Sequence, residues 1–198
     1  MSNIEWSYPR PRSGWSGIMD RFIGPGATKA EIALQFVLPI AAAFAAIVLA
    51  ASRSLDWTLL QYVVAGFMAL DLVGGIFTNA TSSAKRWYHR DGQTARNHLG
   101  FISLHLLHLS LISWVFLDWQ WEWVAATAAY LGAASVVILV VPLYLQRPVS
   151  LTTFAGSLIL AQYVVTSPAG VEWFLPLFYL KLLVSHLPKE EPYRPTRS

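Results

Sequence analysis

The chain has 198 residues, of which 55% are hydrophobic and only 13% charged, with a mean hydropathy of +0.46. A water-soluble domain carries about a quarter charged residues, so the composition excludes that class. The absence of cysteine excludes disulfides, thiolate metal sites and thiol catalysis.

Residues 1–30 lack the continuous apolar core of a cleavable leader. Within them Trp15, Ile18, Met19 and Phe22 recur at helical spacing, with Asp20 and Arg21 on another face. That pattern predicts a short amphipathic helix lying in the headgroup layer, ended by Gly24-Pro25-Gly26. Thr28 and Glu31 stand at capping-box spacing and open the first apolar run.

Six apolar runs follow, at 31–51, 57–80, 98–117, 123–142, 151–167 and 171–187. A helix needs about 20 residues to cross the hydrocarbon core, and the two shorter runs at the end cross with little tilt or local thinning. The expected fold is all-α: a polytopic bundle of six transmembrane helices over 31–187. A cytoplasmic segment, 1–30, precedes it and a proline-broken, flexible cytoplasmic tail, 188–198, follows. Ala125, Ala129 and Ala133 make a small-residue row on span four that suits close helix packing, within the bundle or in a homo-oligomer.

Loop charges set the orientation. Every basic residue except Arg53 and Lys181 falls before span one, between spans two and three, between four and five, or after span six. By the positive-inside rule both termini are cytoplasmic, in a cytoplasmic membrane. Trp57, Trp119, Trp121, Trp123 and Trp173 sit at the opposite edge as an aromatic belt. The pI near 9.3 thus reflects topology, and the dispersed charges do not suggest a nucleic-acid partner. Membrane lipids are the expected partners.

Asp71, His105 and Lys181 lie inside three different runs. At 1.5 Å per residue they stand roughly 14, 10 and 9 Å from the cytoplasmic ends of their helices. Ionisable groups at such depth face a protein interior or a water-filled cavity and have partners. At about 100° per residue, Asp71, Gly75, Thr78 and Ser82 share a face with Gly74 and Asn79 beside it, and His98 aligns with His105. His108 stands about 60° away from His105 and His186 about 140° away from Lys181. The loop Lys85-Arg86-Trp87-Tyr88-His89-Arg90 supplies a basic, aromatic rim suited to an anionic headgroup.

These residues suggest an acid–base enzyme acting on a lipid or isoprenoid-like substrate. Asp71 and His105 exchange protons, Asn79 and His108 orient the substrate, and Lys181, Arg86, Trp87 and Arg90 hold an anionic head. The alternatives are a small proton-coupled transporter or channel, haem ligation by His98 and His186, or a scaffold subunit. A transport path needs polar residues in both halves of the bilayer, and the outer half offers only Gln61, Gln162 and Tyr163. His105-x-x-His108 alone is too weak to assign a metal site, because a third ligand is needed.

Overall fold

A computed structural model describes residues 2–195. It is helical apart from one short antiparallel ladder. The elements are β1 (Ser2–Ile4), α1 (Gly14–Ile23), α2 (Lys29–Ser52), α3 (Leu59–Ala80) and α4 (Ser82–Tyr88), then α5 (Ala95–Leu104), α6 (Leu106–Phe116) and α7 (Trp121–Val140). They continue with α8 (Leu143–Tyr163), α9 (Phe174–Tyr179), a π-helical segment (Leu180–His186) and β2 (Tyr193–Pro195).

Four helices are long and apolar enough to cross a membrane: α2, α3, the α5–α6 pair and α7. Their exposed residues are apolar as well: Ile40 is 62% exposed, Phe44 70%, Leu107 70% and Val140 72%. An apolar outer surface of this extent needs a lipid or protein cover. The core lies where α3, α6, α7, α9 and the π segment meet, around Met68, Leu72, Leu109, Ile138, Phe178 and Leu182.

Local signals explain the helix starts. Thr28 accepts from the Glu31 amide while the Glu31 carboxylate accepts from the Thr28 amide, and Thr58 with Gln61 repeats the box. The Glu31 carboxylate also accepts from the Ser83 amide, and the Ser83 hydroxyl donates to the Ile23 carbonyl, which ties α1, α2 and α4 together. Gly24 allows this junction. Its φ is +89°, and a Cβ there would lie 2.3 Å from the Ser83 backbone.

Several boundaries differ from the sequence expectation. The connection between the second and third runs is not a plain loop but contains α4. The fifth run begins earlier, at Leu143, so Arg147 lies on a helix rather than in a loop. The last helix, Phe174–His186, is shorter than its run. Residues 193–195, expected within a flexible tail, pair with 2–4, so the two ends of the described chain lie next to each other. The rest of the expected tail, 196–198, lies outside the described residues. Ala125, Ala129 and Ala133 face away from the bundle.

Candidate functional site: a buried imidazole and carboxylate cluster

Two irregular stretches of backbone build the site. At His105 the helix tightens: the His105 amide donates to the Ile102 carbonyl and the His108 amide to the His105 carbonyl, both over three residues. In such a turn side chains three apart eclipse. The His105 and His108 rings consequently stack 4.9 Å apart at 12°, nearer to eclipsed than the offset of about 60° on a regular helix.

In the π segment the chain unwinds instead, with the Leu187 amide donating to the Leu182 carbonyl five residues back. This register brings residues five apart close to one face. Lys181 and His186 therefore meet the same stripe of α3. The Lys181 ammonium donates to Asp71 Oδ2 at 2.6 Å, and His186 Nδ1 meets Asn79 Oδ1 at 3.0 Å. Gly75 lies between them on the stripe. A Cβ at Gly75 would fall 2.2 Å from Lys181 Cε, so only glycine admits the lysine stem.

Asp71 is the centre of the first cluster. Its Oδ2 takes both Lys181 and, at 3.0 Å, His108 Nε2. Because a carboxylate only accepts, His108 donates through Nε2 and its Nδ1 carries a lone pair in the neutral ring. That Nδ1 is buried and makes no hydrogen bond. His105 donates from Nδ1 to the Phe101 carbonyl at 2.9 Å, which leaves its Nε2 as a second lone pair. The couple expected from the sequence was Asp71 with His105; in the structure the imidazole bonded to Asp71 is His108.

These groups line one end of a cavity of about 480 Å³. Its other walls are apolar: Phe22, Phe36, Pro39, Ile40, Phe67 and Leu70. Ile40 and Phe67 are themselves more than half exposed, so the cavity opens sideways on the lipid-facing flank of the bundle. Gln35 also lines it, 5% exposed, with neither amide atom bonded to protein. Sequence reasoning passed over Gln35, although a glutamine inside the most apolar run was a visible signal.

A second cluster lies one step towards the chain termini. Asn79 donates its amide N–H to the Gly75 carbonyl at 2.7 Å, which fixes Oδ1 towards His186. His186 therefore donates from Nδ1 and accepts at Nε2 from His98 Nδ1, 3.1 Å away. His89 donates to the His186 carbonyl and stacks on His98 at 4.6 Å. Phe101 stacks on His186 and tilts against His105, joining the two clusters. All five histidines of the chain thus lie in one connected group. His98 and His186, weighed as haem ligands, bond directly to each other and leave no gap for a macrocycle.

The basic rim lies elsewhere than expected. Arg86 is fully buried and close enough to Glu31 to act on its charge. Arg90 lies 3.9 Å over the Trp87 ring and donates to the Trp87 carbonyl, while Trp87 meets Tyr8 edge-on. None of Arg86, Trp87 and Arg90 lines the cavity, although their neighbour Tyr88 does. Lys85 donates to the Ser185 and Pro188 carbonyls, capping the end of the π segment. Burial pulls its ammonium down to about 8, against the attraction of Glu190. Burial likewise pulls His89 down to about 3, helped by the charges of Lys85 and His98.

One ligand atom from each of Asp71, His105 and His108 lies within 4.8 Å of the others, compact enough to be weighed as a cation site. One feature weighs against that use: the Lys181 ammonium already sits on the shared carboxylate oxygen. Comparison with protein-family models, curated proteins and solved structures gave no match, so the chemistry of the site is argued from its own residues.

Proposed function

We propose that the protein is a membrane-embedded acid–base enzyme acting on an amphipathic lipid, with His108 as the base. Asp71 positions the ring and stabilises the imidazolium that forms when Nδ1 takes a proton, the role of the carboxylate in a nucleophile–histidine–carboxylate triad. The observation that carries this reading is the pairing of Asp71 with His108 Nε2 while Nδ1 is left unbonded at the edge of the cavity. Lys181 neutralises Asp71 and keeps the cluster free of uncompensated charge.

The same reading takes α8 and Phe174–His186 as two further crossings, making six in a cytoplasmic membrane with both termini cytoplasmic. Pairing of 2–4 with 193–195 supports an even number of crossings, and the loop charges support the orientation. Trp15, Ile18 and Phe22 on α1 are exposed, which supports placing that helix in the headgroup layer at the mouth of the cavity. Transport has weaker support. Outward of the cluster the core side chains Val64, Met68, Leu175 and Phe178 are buried and apolar.

The test is turnover. Protein in nanodiscs is incubated with a total lipid extract of its host, and the lipids are compared by mass spectrometry with those from His108→Gln. Product lipids formed by the wild type alone support the reading. Identical lipid profiles, with both proteins folded, overturn it.

A further inference from the structure

We infer that the cavity selects a long-chain lipid with a neutral, hydrogen-bond-donating head, a hydroxyl, over one with an anionic head. The inference rests on the acid–base reading of this cavity and narrows its substrate class. It reverses the sequence expectation of a phosphate or carboxylate head.

The argument is an inventory of what the polar end offers. His108 Nδ1, His105 Nε2 and Asp71 Oδ1 accept no hydrogen bond from protein, and none of the three can donate in the neutral rings and ionised carboxylate. Three acceptors within one cluster call for a donor. The Lys181 ammonium keeps further N–H groups, but its charge is already matched by Asp71 at 2.6 Å. Asn79 is committed at both ends, to Gly75 and His186. Tyr88 donates its hydroxyl to the Phe22 carbonyl.

An anionic head would face the Asp71 charge and imidazole lone pairs with no cation left over. The other cations near the mouth do not reach it, since Lys85, Arg86 and Arg90 lie outside the cavity lining. A hydroxyl adds no charge and supplies the donor that His108 Nδ1 lacks. It donates to His108 Nδ1 and accepts from Gln35, whose buried amide has no protein partner for either atom. The apolar walls at Ile40 and Phe67, open to the flank, take the tail. A hydroxyl on His108 Nδ1 is also the proton the base would take: its O–H bond breaks, the proton passes to Nδ1, and the electron pair stays on oxygen.

The experiment uses three probes of one chain length, 1-hexadecanol, palmitate and hexadecyl phosphate, titrated into the purified protein in detergent and read by native mass spectrometry. The alcohol is expected to bind once and at least about tenfold more tightly than either anion. Gln35→Leu is the informative variant, since it should fold at least as well yet bind the alcohol several-fold more weakly. Tighter binding of palmitate or hexadecyl phosphate overturns the hydroxyl assignment, as does undiminished alcohol binding in Gln35→Leu or no binding by any probe. The acid–base reading is decided separately, by the turnover comparison with His108→Gln, which needs none of these probes.

Discussion

The two histidine clusters hang on the same stripe of α3 and the same π segment, yet they differ in how completely their hydrogen bonds are closed. In the cluster of Asn79, His98 and His186, each polar atom facing the α3–π interface has a partner, and the amide of Asn79 dictates the tautomers of both rings. In the cluster of Asp71, His105 and His108, charge is balanced but acceptors are left open beside a cavity. Closed networks rigidify a fold, whereas open ones carry a desolvation penalty that a ligand can relieve. On the proposed function, this contrast leaves structure to the Asn79 cluster and chemistry to the Asp71 cluster.

The contrast can be broken most sharply at His108. His108→Gln keeps a polar side chain but cannot act as the base, and removal of such a group lowers turnover by about 10²–10⁴-fold. His98→Gln should change turnover per folded molecule little. Equal losses from both would erase the distinction.

Asp71 comes next, because it serves charge balance and base positioning together. Asp71→Asn strands the buried Lys181 ammonium, a change that costs about 3–5 kcal/mol. Adding Lys181→Met removes the stranded charge, and thermal melts in detergent should then recover. Turnover should stay low, since the ring is no longer held by a carboxylate. Recovery of turnover in the double variant would reduce Asp71 to Lys181's counter-ion.

Asn79→Ala tests the closed cluster. It leaves the buried His186 Nδ1–H without an acceptor, a loss of about 1–3 kcal/mol. Activity corrected for folded protein should be unchanged. A fall in activity at full stability would return Asn79 to the substrate-orienting role that its sequence position suggested.

His89 sharpens the comparison through pH. Its pKa is about 3 in the folded protein against an ordinary 6.5, so the unfolded chain binds more protons between those values. Stability therefore rises with pH across that window, is complete above about 6.5, and falls away on acidification, with a slope from this one group of at most about 1.4 kcal/mol per pH unit. His89→Asn should flatten that limb of a melting-temperature profile relative to the wild type. An unchanged profile would mean the ring stays solvated rather than buried.

Much of this architecture was legible from residues alone. The apolar runs predicted helices, and Thr28 with Glu31 predicted the cap that the structure contains. Asp71, His105 and Lys181 were conspicuous because an ionisable group in an apolar run must find a partner. Their approach to one cavity followed from matching depths along three helices. Gly75 was legible as a small residue on the face of Asp71, though not which side chain it admits.

What the sequence could not supply was the pairing within the cluster, because it depended on two departures from a uniform helix. At 100° per residue, His108 stands about 60° round from His105 and His186 about 140° round from Lys181. A tight turn at His105 eclipses the first pair, and a π segment aligns the second. Neither departure has a local residue signature, for no proline or glycine marks residues 102–108 or 180–186. Composition and hydropathy determined that helices form and what surrounds them. Which imidazole Asp71 holds, and which lone pairs remain open, was decided by packing of α3 against the π segment, where the Asp71–Lys181 and Asn79–His186 contacts require a register that a regular helix does not have.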